Sequence, residues 1–125
     1  MSHVLLVALG GGLGASARYL TNLAALRVLG PNFPWGTITV NILGSFLMGV
    51  LIATLARMSG TSAEVRSFLA TGFLGGFTTF SAFSLDFASM WERGDQGAGM
   101  AYLLASVVIS ILALFAGLYL VRSLA

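Results

Sequence analysis

The sequence predicts an all-α membrane protein with four transmembrane helices, the third of them broken, and three observations carry that prediction. Of the 125 residues, 58% are hydrophobic and only 8% are charged, whereas a water-soluble domain carries about a quarter charged residues. Four apolar stretches, at about 4–29, 36–56, 68–90 and 99–121, each reach the roughly 20 residues that cross a hydrocarbon core. The segments between them are short and polar: "GPNFP" at 30–34, "RMSGTSAEVR" at 57–66 and "WERGDQG" at 91–97. Pro31 and Pro34 reinforce the first boundary, because proline continues a helix poorly.

The whole chain is thereby used in one four-span membrane domain over 1–125, with both termini on one side of the bilayer. There is no cysteine, which excludes disulfides and thiol-based metal sites. Six basic residues, all arginine, against four acids give a net charge of +2, too sparse for a nucleic-acid footprint. A cleaved signal peptide is not expected. "ASA" at 15–17 has the small-residue form of a cleavage site, but the stretch before it carries "GGG" and only His3 as a weak base.

Cytoplasmic loops are normally enriched in Lys and Arg, and that bias fixes orientation. Arg57, Arg66 and Arg122 fall on the side of the termini; Arg27 and Arg93 fall on the other, joined by Arg18 if it lies near the far end of its span. So even a tally predicts insertion both ways round and antiparallel assembly, unless so few charges decide nothing. Four thin helices also enclose little polar interior, so a pore or carrier of this size needs at least a dimer.

In the first span, "GGGLGASARY" at 10–19 contains the pair Gly10 and Gly14. Small residues at this spacing let helices approach closely, and packing is what holds helices together in lipid. Arg18 is different, since a guanidinium at the bilayer centre costs about 2.5–3.5 kcal/mol on insertion scales. It must snorkel, pair or face water, and Tyr19 beside it argues for interfacial depth. An arginine at the mouth of a cavity would attract anions.

In the second span, Thr37 and Asn41 lie four apart on one face, continued by Gly44 or Ser45 and then Met48. The Asn41 amide has donors and an acceptor that lipid cannot satisfy. It either bonds a neighbouring helix or lines a pore as a donor.

The third span reads "GGFTTFSAFS" at 75–84. Gly72, Gly75 and Gly76 weaken helical continuity, and Thr78, Thr79 and Ser81 can bond the backbone groups that a break sets free. A broken helix survives at membrane depth only where its backbone is buried in protein or lines a water-filled cavity. Freed carbonyls then make a cation site, and freed N–H groups an anion site; a packing kink is the plainer alternative. Phe80 and Phe83 lie one turn apart, a spacing ordinarily seen in core or lipid-facing rings. Ring edges are positive, however, and rings presented edge-on can hold a small anion without a full opposing charge. Asp86, on nearly the same face, either shapes a vestibule or marks the polar end of the span.

In the fourth span, Tyr102, Ser106 and Ser110 form a stripe of hydroxyls at i, i+4 and i+8. Such serines commonly bond back to the carbonyl four residues earlier. As a track of free donors, they would replace the water of a dehydrating anion. No metal-ligand cluster, nucleophile–base pair or phosphate loop is present, so no enzyme is expected.

"GGGLGASARY", "GTITVNILGSF" and "GFLGGFTTFSAFS", at these intervals, resemble the fluoride channel family (Fluc, also called CrcB), and the likeness covers essentially the whole chain. The resemblance implies a passive fluoride channel of the inner (plasma) membrane that exports fluoride from the cytoplasm, built as an antiparallel, dual-topology homodimer with two pores. It implies a central structural sodium ion held by backbone carbonyls, at positions matching Gly75 and Thr78 of both subunits. It carries Phe80 and Phe83 into the pore wall, with Asn41 as a donor to fluoride. Ser106 and Ser110 belong to the polar track by position, with Tyr102 near one end and Arg18 near a vestibule. Thr37, one turn before Asn41, joins the expected pore face. The competing readings are a proton-coupled drug exporter and a non-transporting assembly subunit. The first needs a buried carboxylate, yet Glu64, Asp86, Glu92 and Asp95 all lie in or near loops.

Overall fold

The computed structural model describes residues 2–58, 60 and 62–124. Helix α1 covers Ser2–Leu29 and α2 covers Trp35–Arg57. The third span is composite: α3 at Ala63–Arg66, a π-helical stretch at Ser67–Leu74, α4 at Gly75–Phe77 and α5 at Phe80–Glu92. Helix α6 closes the chain at Gln96–Ser123. Four helical runs, His3–Leu29, Trp35–Arg57, Ala63–Glu92 and Gln96–Ser123, are long and apolar enough to cross a membrane.

The third run begins at Ala63, ahead of the expected 68, and the reason is a cap rather than hydropathy. Ser62 accepts the Val65 N–H at 3.2 Å through its hydroxyl, and Glu64 sits in the first turn, where a carboxylate favours the positive helix end. The apolar stretch marks where lipid begins; the cap marks where the helix begins. Turns elsewhere use glycine in the left-handed region. Gly30 at φ 83° ends α1 with its N–H on the Leu26 carbonyl, and Gly94 at φ 92° follows α5 with its N–H on Trp91.

Two helix pairs form the body. α2 packs along α6, and α1 packs on the π-helical stretch and α4. The Gly10–Gly14 pair lies at the second contact: a methyl group on Gly14 would overlap the Phe73 carbonyl, and one on Gly10 the Phe68 carbonyl. The small-residue pair therefore serves backbone-to-backbone approach. Phe83, Met90 and Tyr102 form a buried cluster, with Phe33, Ile38, Phe87 and Leu103 against it. Large apolar side chains such as Leu5, Leu13, Leu112 and Phe115 point outward, which suits a hydrocarbon solvent and no aqueous one.

Candidate functional site

The break in the third span falls at Thr78 and Thr79, whose backbones are extended at φ −87°, ψ 157° and φ −150°, ψ 122°. The glycines before it stay helical: Gly75 has φ −62° and ψ −38°. Each severed end is capped by a threonine. Thr78 bonds the Leu74 carbonyl through both its N–H and its hydroxyl, each at 3.0 Å. The Thr79 hydroxyl accepts the Ala82 N–H at 3.1 Å and so starts α5.

Asn41 reaches across from α2 to hold the extended link. Its Oδ1 accepts the Thr79 N–H at 2.8 Å, and its Nδ2 donates to the Thr79 carbonyl at 3.0 Å. Arg18 reaches in from α1, with Nε donating to the Gly76 carbonyl at 3.1 Å. Among the described residues, these contacts leave three carbonyls at the break, those of Gly75, Phe77 and Thr78, without a donor from the helix ladder, the Gly76 carbonyl being taken by Arg18. In a continuous α-helix, residue i donates to the carbonyl of i−4, so Thr79 N–H would serve Gly75 and Ala82 N–H would serve Thr78. Both donors are turned instead to side chains, those of Asn41 and Thr79. Gly75 and Thr78, the positions expected to offer carbonyl oxygens, are among them, and Phe77 shares the property.

Beside the break lies a cleft of about 240 Å³, lined by Asn41, Ser45, Thr78, Thr79, Phe80, Phe83, Ser106, Val107, Ser110 and Ile111. Asn41, Phe80, Phe83, Ser106 and Ser110, from three different spans, are thus brought together. The two rings are 5.6 Å apart between centroids and tilted by 50°. Phe83 is buried, while Phe80 is 76% exposed. The hydroxyls of Ser106 and Ser110 are buried and make no hydrogen bond among the described residues, so the back-bonded arrangement does not hold for either.

The remaining expected site residues sit elsewhere. Tyr102 is fully buried and donates to Asp86 Oδ2 at 3.0 Å, with the Phe33 and Phe83 rings against it. Thr37 lines a second cavity of about 400 Å³, together with Asp86, Asn22, Trp35 and Arg93. Phe83 touches the Tyr102 ring and also lines the cleft. Arg18 lines neither, and its Nε is committed to the break. Sequence reasoning missed the pivotal part of Thr79. The signal was available: an amide that carries N–H donors and a carbonyl acceptor can pair with one unpaired backbone N–H and C=O at once.

The profile of the family described as "CrcB-like protein, Camphor Resistance (CrcB)" matches residues 5–118 of this chain. A protein of Mesorhizobium japonicum named "Fluoride-specific ion channel FluC" is 61% identical, over 99% of each chain. One of the same name from a Chelativorans species is also 61% identical over 99% of each. Another, from Cereibacter sphaeroides, is 56% identical over 98% of this chain and 96% of its own.

Proposed function

The chain belongs to the CrcB family, and from that premise we propose that it is a fluoride-selective passive channel, a multi-pass protein of the inner (plasma) membrane and not an enzyme. The observation that carries the reading is the cleft at the broken third span. There Asn41, the two phenyl rings and two unbonded serine hydroxyls meet, in a chain whose relatives carry the name fluoride-specific ion channel.

The physical logic follows from the ion. Fluoride is small and strongly hydrated, so a selective path must replace its water with several donors at close quarters. Ser106 and Ser110 offer O–H groups with no competing protein acceptor. Asn41 spends one N–H on Thr79 and retains the second. Phenyl edges add weak positive potential, and α5 begins at the cleft with the positive end of its dipole. Many weak contacts, rather than one strong one, allow an ion to leave as well as enter. A negative cell interior then drives an anion outward without coupling to another solute.

The functional unit of this reading is an antiparallel homodimer with two pores and a central sodium ion. The arginine balance supports insertion in both orientations. Gly75 and Thr78, each deprived of its helical donor, fit a hard cation, which takes backbone oxygens at unwound segments. Two carbonyls from one chain are too few for a full shell, which is why a second copy belongs to the proposal. When bound, the ion would supply a fixed positive charge that offsets the cost of an anion in lipid. The acids offer a drug carrier little: Glu64, Glu92 and Asp95 are exposed, and Asp86 is held by Tyr102.

Purified protein in liposomes loaded with fluoride and chloride tests the reading. Fluoride appears outside, recorded by a fluoride electrode, while chloride stays within. Equal release of both, or of neither, overturns it.

A further inference from the structure

We propose that Ser45 is a third hydroxyl ligand of the permeating anion and a determinant of its selectivity; the inference rests on the channel reading above and extends it to the α2 wall. Several hydroxyls inside these helices find a local partner. Ser16, Thr21, Thr54, Thr78 and Ser84 each donate to the carbonyl four residues earlier, at 2.7 to 3.0 Å. This is the local bond that satisfies Ser and Thr in a helix. Ser45 is free to make the same bond to Asn41 and does not; among the described residues its hydroxyl has no partner at all.

Thr39, Thr71 and Ser89 also lack this bond among the described residues, so what sets Ser45 apart is its place. Ser45 lies one turn beyond Asn41 on the same face of α2, and both line the cleft that also holds Ser106 and Ser110. All three serines that line this cleft leave their hydroxyls unbonded among the described residues, Ser106 and Ser110 from α6 and Ser45 from α2. Donors from α6 alone would leave part of the anion undressed. Ser45 supplies an O–H from α2 and, with the free N–H of Asn41, adds a second helix to the ion's shell.

The experiment measures fluoride and chloride release from liposomes for the wild type, Ser45→Ala and Ser45→Thr, with size-exclusion elution as the control for folding. A hydrogen bond to a charged partner is at stake, so Ser45→Ala should slow fluoride about tenfold, with chloride unchanged. Ser45→Thr, which keeps the hydroxyl, should be markedly faster than the alanine variant. An Ala variant within about threefold of wild type, or a Thr variant as slow as Ala, overturns the role of Ser45 and leaves the channel reading standing. A wild type that releases no fluoride overturns the channel reading itself. Should Ser45→Ala elute as aggregate, Ser45→Cys, close in size but with a weak donor, is held to the alanine criterion.

Discussion

The side-chain amide of Asn41 pairs with both backbone groups of Thr79, accepting its N–H at 2.8 Å and donating to its carbonyl at 3.0 Å. One residue of α2 thus replaces, at the interruption, the ladder that the third span has given up. The same side chain lines the cleft, so scaffold and cleft wall share an atom group.

Asn41→Ala should therefore damage stability and conduction together. Leaving a backbone N–H and C=O unpaired in a low-dielectric interior costs about 1–3 kcal/mol each, visible as a lower thermal midpoint in detergent. Asn41→Asp retains an acceptor for Thr79 N–H but loses the donor and places negative charge on the anion's path. It should conduct worse than Asn41→Ala while unfolding at a higher temperature, a split that fluoride efflux and thermal melts read separately.

Phe80 and Phe83 should separate in the opposite sense. Phe83 is buried against Tyr102, so Phe83→Ile should lower stability by about 1–3 kcal/mol, within the usual range for reshaping a packed core. Phe80 is 76% exposed in the chain, and Phe80→Ile should leave the melt of the single subunit almost unchanged. Fluoride efflux should fall sharply in both. Undiminished efflux in both variants would remove the rings from the mechanism.

Arg18→Gln should loosen the break, because the charged donor on the Gly76 carbonyl is lost. A charge-assisted hydrogen bond of this kind contributes about 1.5–3 kcal/mol. Arg18→Lys should recover only part of it, since a flexible ammonium lacks the rigid fork that places Nε. The thermal midpoints of the three proteins, in the order Arg, Lys, Gln, check the assignment.

Gly14→Ala should destabilise by about 1–3 kcal/mol through overpacking, since the added methyl overlaps the Phe73 carbonyl. Gly12→Ala is the matched control. Nothing lies within 4 Å of a Cβ there, and alanine favours helix over glycine, so this variant should be as stable as wild type or slightly more so. Equal loss in both would show that α1 does not rest on the third span through Gly14.

Replacing sodium with a large organic cation at constant ionic strength should lower the thermal midpoint and slow fluoride efflux, and restoring sodium should reverse both. Indifference of both readouts to the cation would exclude a structural sodium ion.

Much of this was legible in the sequence, and the parts that were not have physical reasons. Four spans and an interrupted third one follow from hydropathy and from the glycine–threonine run. The glycine run suggests a break at the glycines, yet Gly75 and Gly76 remain helical and the threonines break. A methyl on Gly76 would crowd the Gly11 backbone at 3.0 Å from its Cα, so its lack of a side chain serves α1. Composition cannot distinguish a glycine that bends a helix from one that admits a neighbour. The i, i+4, i+8 stripe placed Tyr102 on the face of Ser106 and Ser110, correctly as to helix geometry. It could not foresee that Asp86 and Phe83, from another span, would enclose the phenol away from the cleft. Partners in space are fixed by tertiary packing, which periodicity along one helix does not encode.

One consequence concerns Phe80, whose ring stands outside while Phe83 is enclosed. A solitary copy is an open-sided trough, with a phenyl group on its rim and no opposite bank. On the dimer proposed above, completing the fold and completing a conduit are separate events, and unassembled copies in the bilayer should be electrically silent.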